Sequence, residues 1–270
     1  MNHSSQIFQP HLLQGQTAVI SGGSSGINLG IAKLFAQHDA NVVIVARNQE
    51  KIDAAIAQLN KLGEGKVLGF SADVREFSAL EQVAKQVSEQ LGKIDIVIAG
   101  AAGNFLAPAS TLSANGFGSV VDIDLKGTFN LFRACFEHLH TPNARLLAIS
   151  APQAQHPMPL QSHAGAAKAG IELLIKTLAL EWGHHGIRIN GISPGAVENT
   201  EGWDRLSKGV DDSYTKILPI PRVAKVEEMA DLALFLVTPI SSYMTGQIIA
   251  LDGGLSMLGS GAMVAKMMGM

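Results

Sequence analysis

Apolar and polar positions follow two recurring patterns along the chain. Short runs rich in β-branched residues, such as TAVIS, NVVIVA, KVLGFS and IDIVIA, predict buried strands. Stretches with apolar residues at helical spacing follow them, among them GIAKLFAQHD, EKIDAAIAQLNKL and FSALEQVAKQVSEQLG. The alternation continues through a long segment from Gly116 to His140, then ARLLAIS, the helix that contains Lys168, IRINGIS and QIIALDGG. Because strands that are apolar on both sides need a cover on both sides, the pattern predicts an α/β fold: a doubly wound parallel sheet with helices on both faces.

No internal repeat or low-complexity linker divides this pattern, so residues 1–270 are interpreted as a single domain. Residues 193–225 are expected to form the only long connection, and such a connection predicts a loop that covers the substrate. The Met-rich tail, residues 255–270, is compatible either with a disordered end or with a segment that docks on a neighbouring subunit.

Composition narrows the classes of function. The 270 residues are 47% hydrophobic and 16% charged, which is ample for one sizeable core. The net charge is -3 without a basic stretch, so no nucleic-acid partner is expected. No apolar run approaches the roughly 18 residues of a membrane span, and the first residues lack a signal-peptide core. With one cysteine, Cys135, and a final MMGM in place of a peroxisomal address, we expect a cytoplasmic protein.

Glycines mark the turn between the first predicted strand and the first predicted helix. In TAVISGGSSGINLGIAKLF, Gly22 and Gly26 allow backbone amides to approach a pyrophosphate. The helix that follows offers the positive end of its dipole to the same group. The turn is therefore predicted to be a Rossmann-like dinucleotide site that includes Ser24, Ser25 and Ile27, although a glycine-rich turn alone is also compatible with a purely structural role.

The end of the second strand indicates which dinucleotide is bound. Ala46 stands where NAD-preferring enzymes usually carry an Asp that holds the ribose 2′-hydroxyl. Arg47 follows, and its guanidinium can pair with a 2′-phosphate, although an exposed Arg after a strand is also ordinary. The pair favours NADP(H) over NAD(H) as the cofactor.

Residues 162–170, SHAGAAKAG, resemble the active-site helix of the short-chain dehydrogenase/reductases. The resemblance extends from about Gly15 to Gly254 and includes SADV, AGAAG, SPG and LDGG. Two positions depart from the family's cofactor motifs. Asn28 replaces the third glycine of the cradle, where its side chain is predicted to crowd the helix against the strand. AGAAG, residues 99–103, stands where the family shows NNAG.

The family usually assembles Asn, Ser, Tyr and Lys around the nicotinamide, and here only the Lys remains. The resemblance implies that Lys168 holds the nicotinamide ribose. The Asn, Ser and Tyr positions are Asp124, Ala151 and Ala164. Ser150 precedes the Ser position but is expected to point to the opposite side of its strand.

Five stretches resemble the peroxisomal-type 2,4-dienoyl-CoA reductases, a subfamily that also lacks the Tyr and carries an Asp in place of the Asn. They are AAGNFLAPA, DIDLKGTFN, QSHAGAAKAG, ALEWGHHGIRIN and PGAVENTEGWDRL. The resemblance implies that Asp124 organises a proton-donating water molecule and that Lys168 fixes the cofactor. It places the acyl-CoA against Arg75, Phe105, Ser113, Asn115 and Arg205. It places NADP(H) against Gly22, Ser24, Ser25, Gly26, Ile27, Arg47, Asp73, Val74, Ala101, Lys168, Pro194, Gly195, Val197 and Thr200.

Three hypotheses therefore remain open at the level of sequence. The first is an NADPH-dependent reductase of 2,4-dienoyl-CoA thioesters in the degradation of unsaturated fatty acids. The second is a short-chain reductase of another acyl-CoA or conjugated carbonyl substrate, because the fold does not determine the acyl group. The third is a catalytically silent nucleotide-binding homologue, which Asn28 and the missing NNAG favour, whereas Lys168 and Arg47 argue against it.

The named residues also have structural alternatives. Asp124 is compatible with a bridging role inside a packed helix, Phe105 with a core position, and Arg75 and Arg205 with exposed surface charges. His163 adjoins the missing Tyr, but one residue along a helix turns a side chain by about 100 degrees. His156, His184 and His185 lack metal-ligand spacing, so no metal is expected. The family resemblance further implies a homotetramer.

Overall fold

The computed structural model describes residues 8–207, 213–259 and 267–268, and within them seven strands form one sheet. The strand order is β3-β2-β1-β4-β5-β6-β7, and every neighbouring pair is parallel. The predicted doubly wound parallel sheet is therefore confirmed. The strands are β1 (Thr17–Ser21), β2 (Asn41–Ala46), β3 (Val67–Ser71), β4 (Ile96–Ala99), β5 (Arg145–Ile149), β6 (Arg188–Pro194) and β7 (Ile248–Leu251).

Helices connect consecutive strands and cover both faces of the sheet. In the part of the chain that the structure describes, no helix has both the length and the apolar character needed to cross a membrane. The helices are α1 (Gly26–Gln37), α2 (Gln49–Leu59), α3 (Phe77–Leu91), α4 (Ala114–Val121), α5 (Gly127–Cys135), α6 (Ser162–Trp182), α7 (Glu201–Leu206), α8 (Ser213–Lys216) and α9 (Val226–Val237). A π-helical turn, Asp122–Lys126, joins α4 to α5.

Two apolar clusters fill the space between the helices and the two faces of the sheet. One includes Phe132 of α5, and the other includes Phe35 of α1, and both side chains are fully buried. Strand β1 has five buried residues in succession, as expected for a central strand covered on both sides. Cys135 lies in the same cluster as Phe132, where burial raises the pKa of its thiol to about 12.

The order of the strands determines where a ligand can bind. From β1 the chain moves outward to β2 and β3, then returns to β4 on the other side of β1 and continues to β7. Ligands of open α/β sheets bind at such a reversal, in the crevice outside the carboxyl ends of the strands. The loops that follow β1, β4, β5 and β6 all reach this crevice.

The expectation of a single long connection was wrong. Residues 100–113 join β4 to α4, and residues 150–161 join β5 to α6 with only a 3-10 turn at Pro152–Ala154. Prolines at positions 108, 157 and 159 oppose regular helix in these segments. Within residues 193–225 the described part contains α7 and α8, and residues 208–212 lie outside the described residues, as does most of the predicted tail.

Candidate active site

The turn between β1 and α1 has the geometry of a phosphate cradle. Gly22 and Gly26 have φ angles of 68° and 55°, a region that favours glycine. Helix α1 begins at Gly26, so its first N–H groups lack partners within the helix and face the crevice. Ser24, Ser25 and Ile27 are partly exposed at the same turn. The five residues predicted for this cradle therefore lie together.

The loop after β6 lies next to this cradle. A Cβ atom added to Gly26 would be 3.7 Å from Cγ2 of Thr200. The Thr200 hydroxyl donates to the Val197 carbonyl at 2.8 Å and caps α7 by accepting from the Trp203 amide at 3.2 Å. Val197 is buried, and the Thr200 hydroxyl already occupies its carbonyl. Pro194 ends β6, and Gly195 follows it with its amide bonded to the Leu251 carbonyl.

Two residues predicted for different ligands form one ion pair after β3. The Arg75 guanidinium donates to both carboxylate oxygens of Asp73, with a shortest distance of 2.6 Å. This pairing lowers the pKa of the Asp73 carboxyl, and the more distant charge of Arg47 acts in the same direction. Val74 is buried, and its carbonyl accepts from Asn130 at 2.9 Å. Arg47 itself is exposed at the end of β2.

Asp124 and Lys168 form a buried ion pair beside the carboxyl end of β5. Nζ of Lys168 lies 3.1 Å from Oδ2 of Asp124 and donates to the carbonyl of Ile149 at 2.9 Å. Oδ1 of Asp124 accepts from the amide of Gly103 at 2.7 Å. The Asp124 side chain is 1% exposed. The pair thus joins α6, the end of β5 and the loop after β4, and it brings together the two residues predicted to carry the chemistry.

The π-helical turn that holds Asp124 was missed at the level of sequence. Asp124 occupies the middle of the turn, and its carbonyl accepts from the Thr128 hydroxyl at 2.6 Å. A single π turn inserts one extra residue into a helix and is frequent at functional sites. DIDLK has no composition that distinguishes it from ordinary helix, so periodicity gives no signal for this feature.

Ala151 and Ala164, at the positions of the missing Ser and Tyr, have no side-chain proton to donate. Ala164 is 4% exposed and packs with Val120 and Ala167. Ser150 is buried, and its hydroxyl donates to the carboxylate of Glu172 at 2.8 Å. Of the four positions that the family assembles around the nicotinamide, only those of Asp124 and Lys168 therefore carry ionisable side chains.

The predicted substrate residues occupy two separate places. Phe105 is 39% exposed, and its ring packs against the His163 ring at a tilt of 43° with 4.5 Å between centroids. The same ring would lie 3.5 Å from a Cβ added to Gly116. Ser113 caps α4 there by accepting from the Gly116 amide at 3.0 Å, and Asn115 is exposed in the first turn. The guanidinium of Arg205 reaches the carbonyl of Asn104, beside Phe105, at 3.4 Å. Arg75 stands apart from this group, with Asp73.

The prediction that Asn28 crowds the helix against the strand was wrong. Its side chain is buried, and Nδ2 donates to the carbonyl of Gly100 at 2.8 Å. The facing residue has no side chain, so α1 approaches β4 without a clash. Ser21 also holds the start of the loop after β4, because its hydroxyl oxygen accepts from the amides of Gly100 at 3.1 Å and Ala101 at 3.3 Å.

Comparison with known sequences agrees with the predicted family. A family model described as enoyl-(acyl carrier protein) reductase matches residues 22–256. The peroxisomal 2,4-dienoyl-CoA reductase [(3E)-enoyl-CoA-producing] of Rattus norvegicus is 41% identical over 251 residues, which cover 92% of this chain and 86% of the rat protein. The enzyme of the same description from Saccharomyces cerevisiae is 39% identical, and the match covers 94% of this chain and 88% of the yeast protein.

Comparison with solved structures agrees with the fold. A crystal structure of a short chain dehydrogenase from Bacillus anthracis superposes with a TM-score of 0.81 at 34% sequence identity. The superposition covers 92% of this chain and 98% of that one. The fold is therefore shared over almost the full length of both chains.

Proposed function

The chain belongs to the short-chain dehydrogenase/reductase family, and from this premise we propose that it is an NADPH-dependent reductase of 2,4-dienoyl-CoA thioesters, active in the degradation of unsaturated fatty acids. The named activity of the rat and yeast relatives supports the substrate class. The observation that carries the proposal is the buried Asp124–Lys168 pair, which stands where the family usually has an Asn and a Lys.

The residues of the crevice fit a bound dinucleotide. The cradle at Gly22 and Gly26 and the start of α1 suit the pyrophosphate, and Thr200 closes the other side of the cradle. The exposed Arg47 suits a 2′-phosphate, and Lys168 suits the nicotinamide ribose. The bound cofactor supplies the hydride. Ser24, Ser25, Ile27, Asp73, Val74, Ala101, Pro194, Gly195 and Val197 complete the proposed contacts.

Reduction of a conjugated dienoyl thioester does not need a phenol. The charge that develops after hydride addition spreads through an extended dienolate to the thioester oxygen, and protonation takes place on carbon. Asp124 uses one oxygen for Gly103 and the other for Lys168, and a carboxylate has about four acceptor sites, so it can still orient a water molecule. That water gives its proton to carbon, and the Lys168 cation stabilises the hydroxide that is left.

A direct assay tests the proposal. Purified protein is mixed with NADPH and 2,4-hexadienoyl-CoA, and the loss of dienoyl and nicotinamide absorbance is followed together. Equal loss of both supports the proposed reaction. Oxidation of NADPH with a 3-ketoacyl-CoA but not with the dienoyl thioester indicates a reductase of another acyl-CoA. Tight NADPH binding without turnover on any thioester indicates a silent nucleotide-binding protein.

Cofactor preference is expected to depend on Arg47. Its replacement by Ala removes the cation that faces the 2′-phosphate, and a hydrogen bond to a charged group contributes about 1.5–3 kcal/mol. We therefore expect the Kd for NADPH to rise about 10- to 100-fold while the Kd for NADH changes little. Fluorescence titration with both cofactors measures the ratio. Lys33→Ala is the charge-matched control, because Lys33 lies on the side of α1 that faces α9. If Arg47→Ala weakened the binding of NADPH and NADH equally, the assignment of Arg47 to the 2′-phosphate would be contradicted.

Compartment and assembly form a further part of the proposal. We place the protein in the cytoplasm, and the single, buried Cys135 is compatible with a reducing environment.

We propose a homotetramer in which α6 packs against a second copy. Leu173 and Leu180 on α6 support this arrangement, because their side chains are 66% and 83% exposed and lie on one side of the helix.

A further inference from the structure

Two departures from the family's cofactor motifs face each other in space. Asn28 stands on α1 where a glycine is usual, and Gly100 stands after β4 in the segment where NNAG is usual. Whichever way the five residues AGAAG are aligned with the four of NNAG, position 100 corresponds to an Asn. The chain thus carries an Asn and a Gly in the opposite order to the usual one, on two elements that touch.

The contact between the two residues leaves no room for a second side chain. A Cβ atom added to Gly100 would lie 2.1 Å from Oδ1, 2.4 Å from Cγ and 2.4 Å from Nδ2 of Asn28. These distances are well below any van der Waals contact, so the amide group would have to leave its place. Its hydrogen bond from Nδ2 to the Gly100 carbonyl, 2.8 Å long, would then be lost. The buried amide therefore requires a glycine opposite.

The same contact links the dinucleotide cradle to the catalytic pair. A Cβ added to Gly22 would lie 3.0 Å from the Gly100 carbonyl oxygen, so the bonded carbonyl sits directly against the cradle. Three residues further along the chain, the Gly103 amide donates to Asp124 at 2.7 Å. Residues 100–103 are therefore held at one end by Asn28 and Ser21 and at the other end by Asp124.

We infer that Asn28 and Gly100 act as one coupled pair that positions residues 100–103, and so aligns the dinucleotide cradle with Asp124. Asn28 is a positioning residue, because its amide acts through the Gly100 carbonyl. The inference rests on the proposed dinucleotide-binding function. It also removes the main sequence argument for a silent protein, since the two departures compensate for each other.

The experiment is a double-mutant cycle with NADPH affinity and thermal unfolding as separate readouts. Asn28→Ala removes one hydrogen bond, so the Kd for NADPH is expected to rise about three- to tenfold. Gly100→Ala forces the amide out against a packed helix and is expected to raise the Kd more than tenfold. In Asn28→Ala/Gly100→Ala the new methyl group takes the vacated space, so the Kd is expected to fall below that of Gly100→Ala alone.

Two further variants separate this role from simple packing. Asn28→Asp keeps the shape of the side chain but has no N–H to donate, and it is expected to bind NADPH at least as weakly as Asn28→Ala. Asn190→Ala is the matched control, because Asn190 is a buried Asn whose Nδ2 donates to the Met244 carbonyl at 2.9 Å. It is expected to lower the melting temperature without changing the Kd for NADPH.

The readouts distinguish the possible failures. Additive effects of Asn28→Ala and Gly100→Ala on NADPH affinity would overturn the coupled pair. Variants at the two positions that lower only the melting temperature, as in Asn190→Ala, would overturn the positioning role. An unsubstituted protein without NADPH affinity would instead refute the proposed function, and with it the premise of the pair.

Discussion

Asp124→Ala is expected to lower kcat for NADPH and 2,4-hexadienoyl-CoA by about 10³-fold, within the range for loss of a group that organises proton transfer. The Kd for NADPH is expected to stay within about fivefold, because the variant retains the cradle, Arg47 and the Asn28–Gly100 bond at the cradle end of residues 100–103. The variant removes the carboxylate that lies 3.1 Å from Lys168 and accepts from the Gly103 amide. Stopped-flow measurement of dienoyl absorbance, together with fluorescence titration of NADPH, separates the two quantities.

Two companion variants make the result specific. Asp124→Asn keeps an oxygen that can accept from the Gly103 amide but removes the negative charge, so it is expected to retain the fold and still lose most of its turnover. Asp122→Ala changes an exposed carboxylate in the same π-helical turn and is expected to leave kcat within about twofold. If Asp124→Ala kept more than a tenth of the turnover of the unsubstituted enzyme, Asp124 would not be the organising group.

The sheet and the phosphate cradle could be predicted because their signals are local. TAVIS and NVVIVA are continuous apolar runs, and the structure buries all five residues of β1 and four of the six in β2. Glycines at positions 22 and 26 indicated the cradle because glycine adopts the positive φ angles that this turn requires without steric cost. Asp124 and Lys168 were identified through motif resemblance, and the parallel sheet then brings their elements to the same edge.

The features that escaped prediction depend on which residues contact each other in the folded chain. The Asn28–Gly100 contact joins residues 72 positions apart, so Asn28 alone indicated only crowding. The pairing of Arg75 with Asp73 is local in sequence, yet either residue alone is equally compatible with a ligand. The π-helical turn packs against α6, which lies far along the chain, and no periodicity in DIDLK encodes it.

Lys168→Met is the second substitution with a large expected effect, because it acts on cofactor binding, turnover and stability together. It removes the partner of the Asp124 carboxylate, which is also the cation proposed to hold the nicotinamide ribose. The Kd for NADPH is therefore expected to rise more than tenfold and kcat to fall about 10²- to 10³-fold. A buried carboxylate left without its partner costs about 3–5 kcal/mol, which corresponds to roughly 10 °C in melting temperature for a chain of this size. Lys85→Met, at an exposed position of α3, is the control.

The double variant Asp124→Asn/Lys168→Met separates the structural role of the pair from its chemical role. Neutralising both partners removes the unpaired buried charge, so the melting temperature is expected to recover most of what Lys168→Met loses. Turnover is expected to stay as low as in the worse of the two single variants, because neither the oriented water nor the stabilising cation returns. Differential scanning fluorimetry and the dienoyl assay on the same preparations measure both quantities. A double variant that regained turnover along with stability would show that the ion pair only supports the fold and that the proton comes from elsewhere in the crevice.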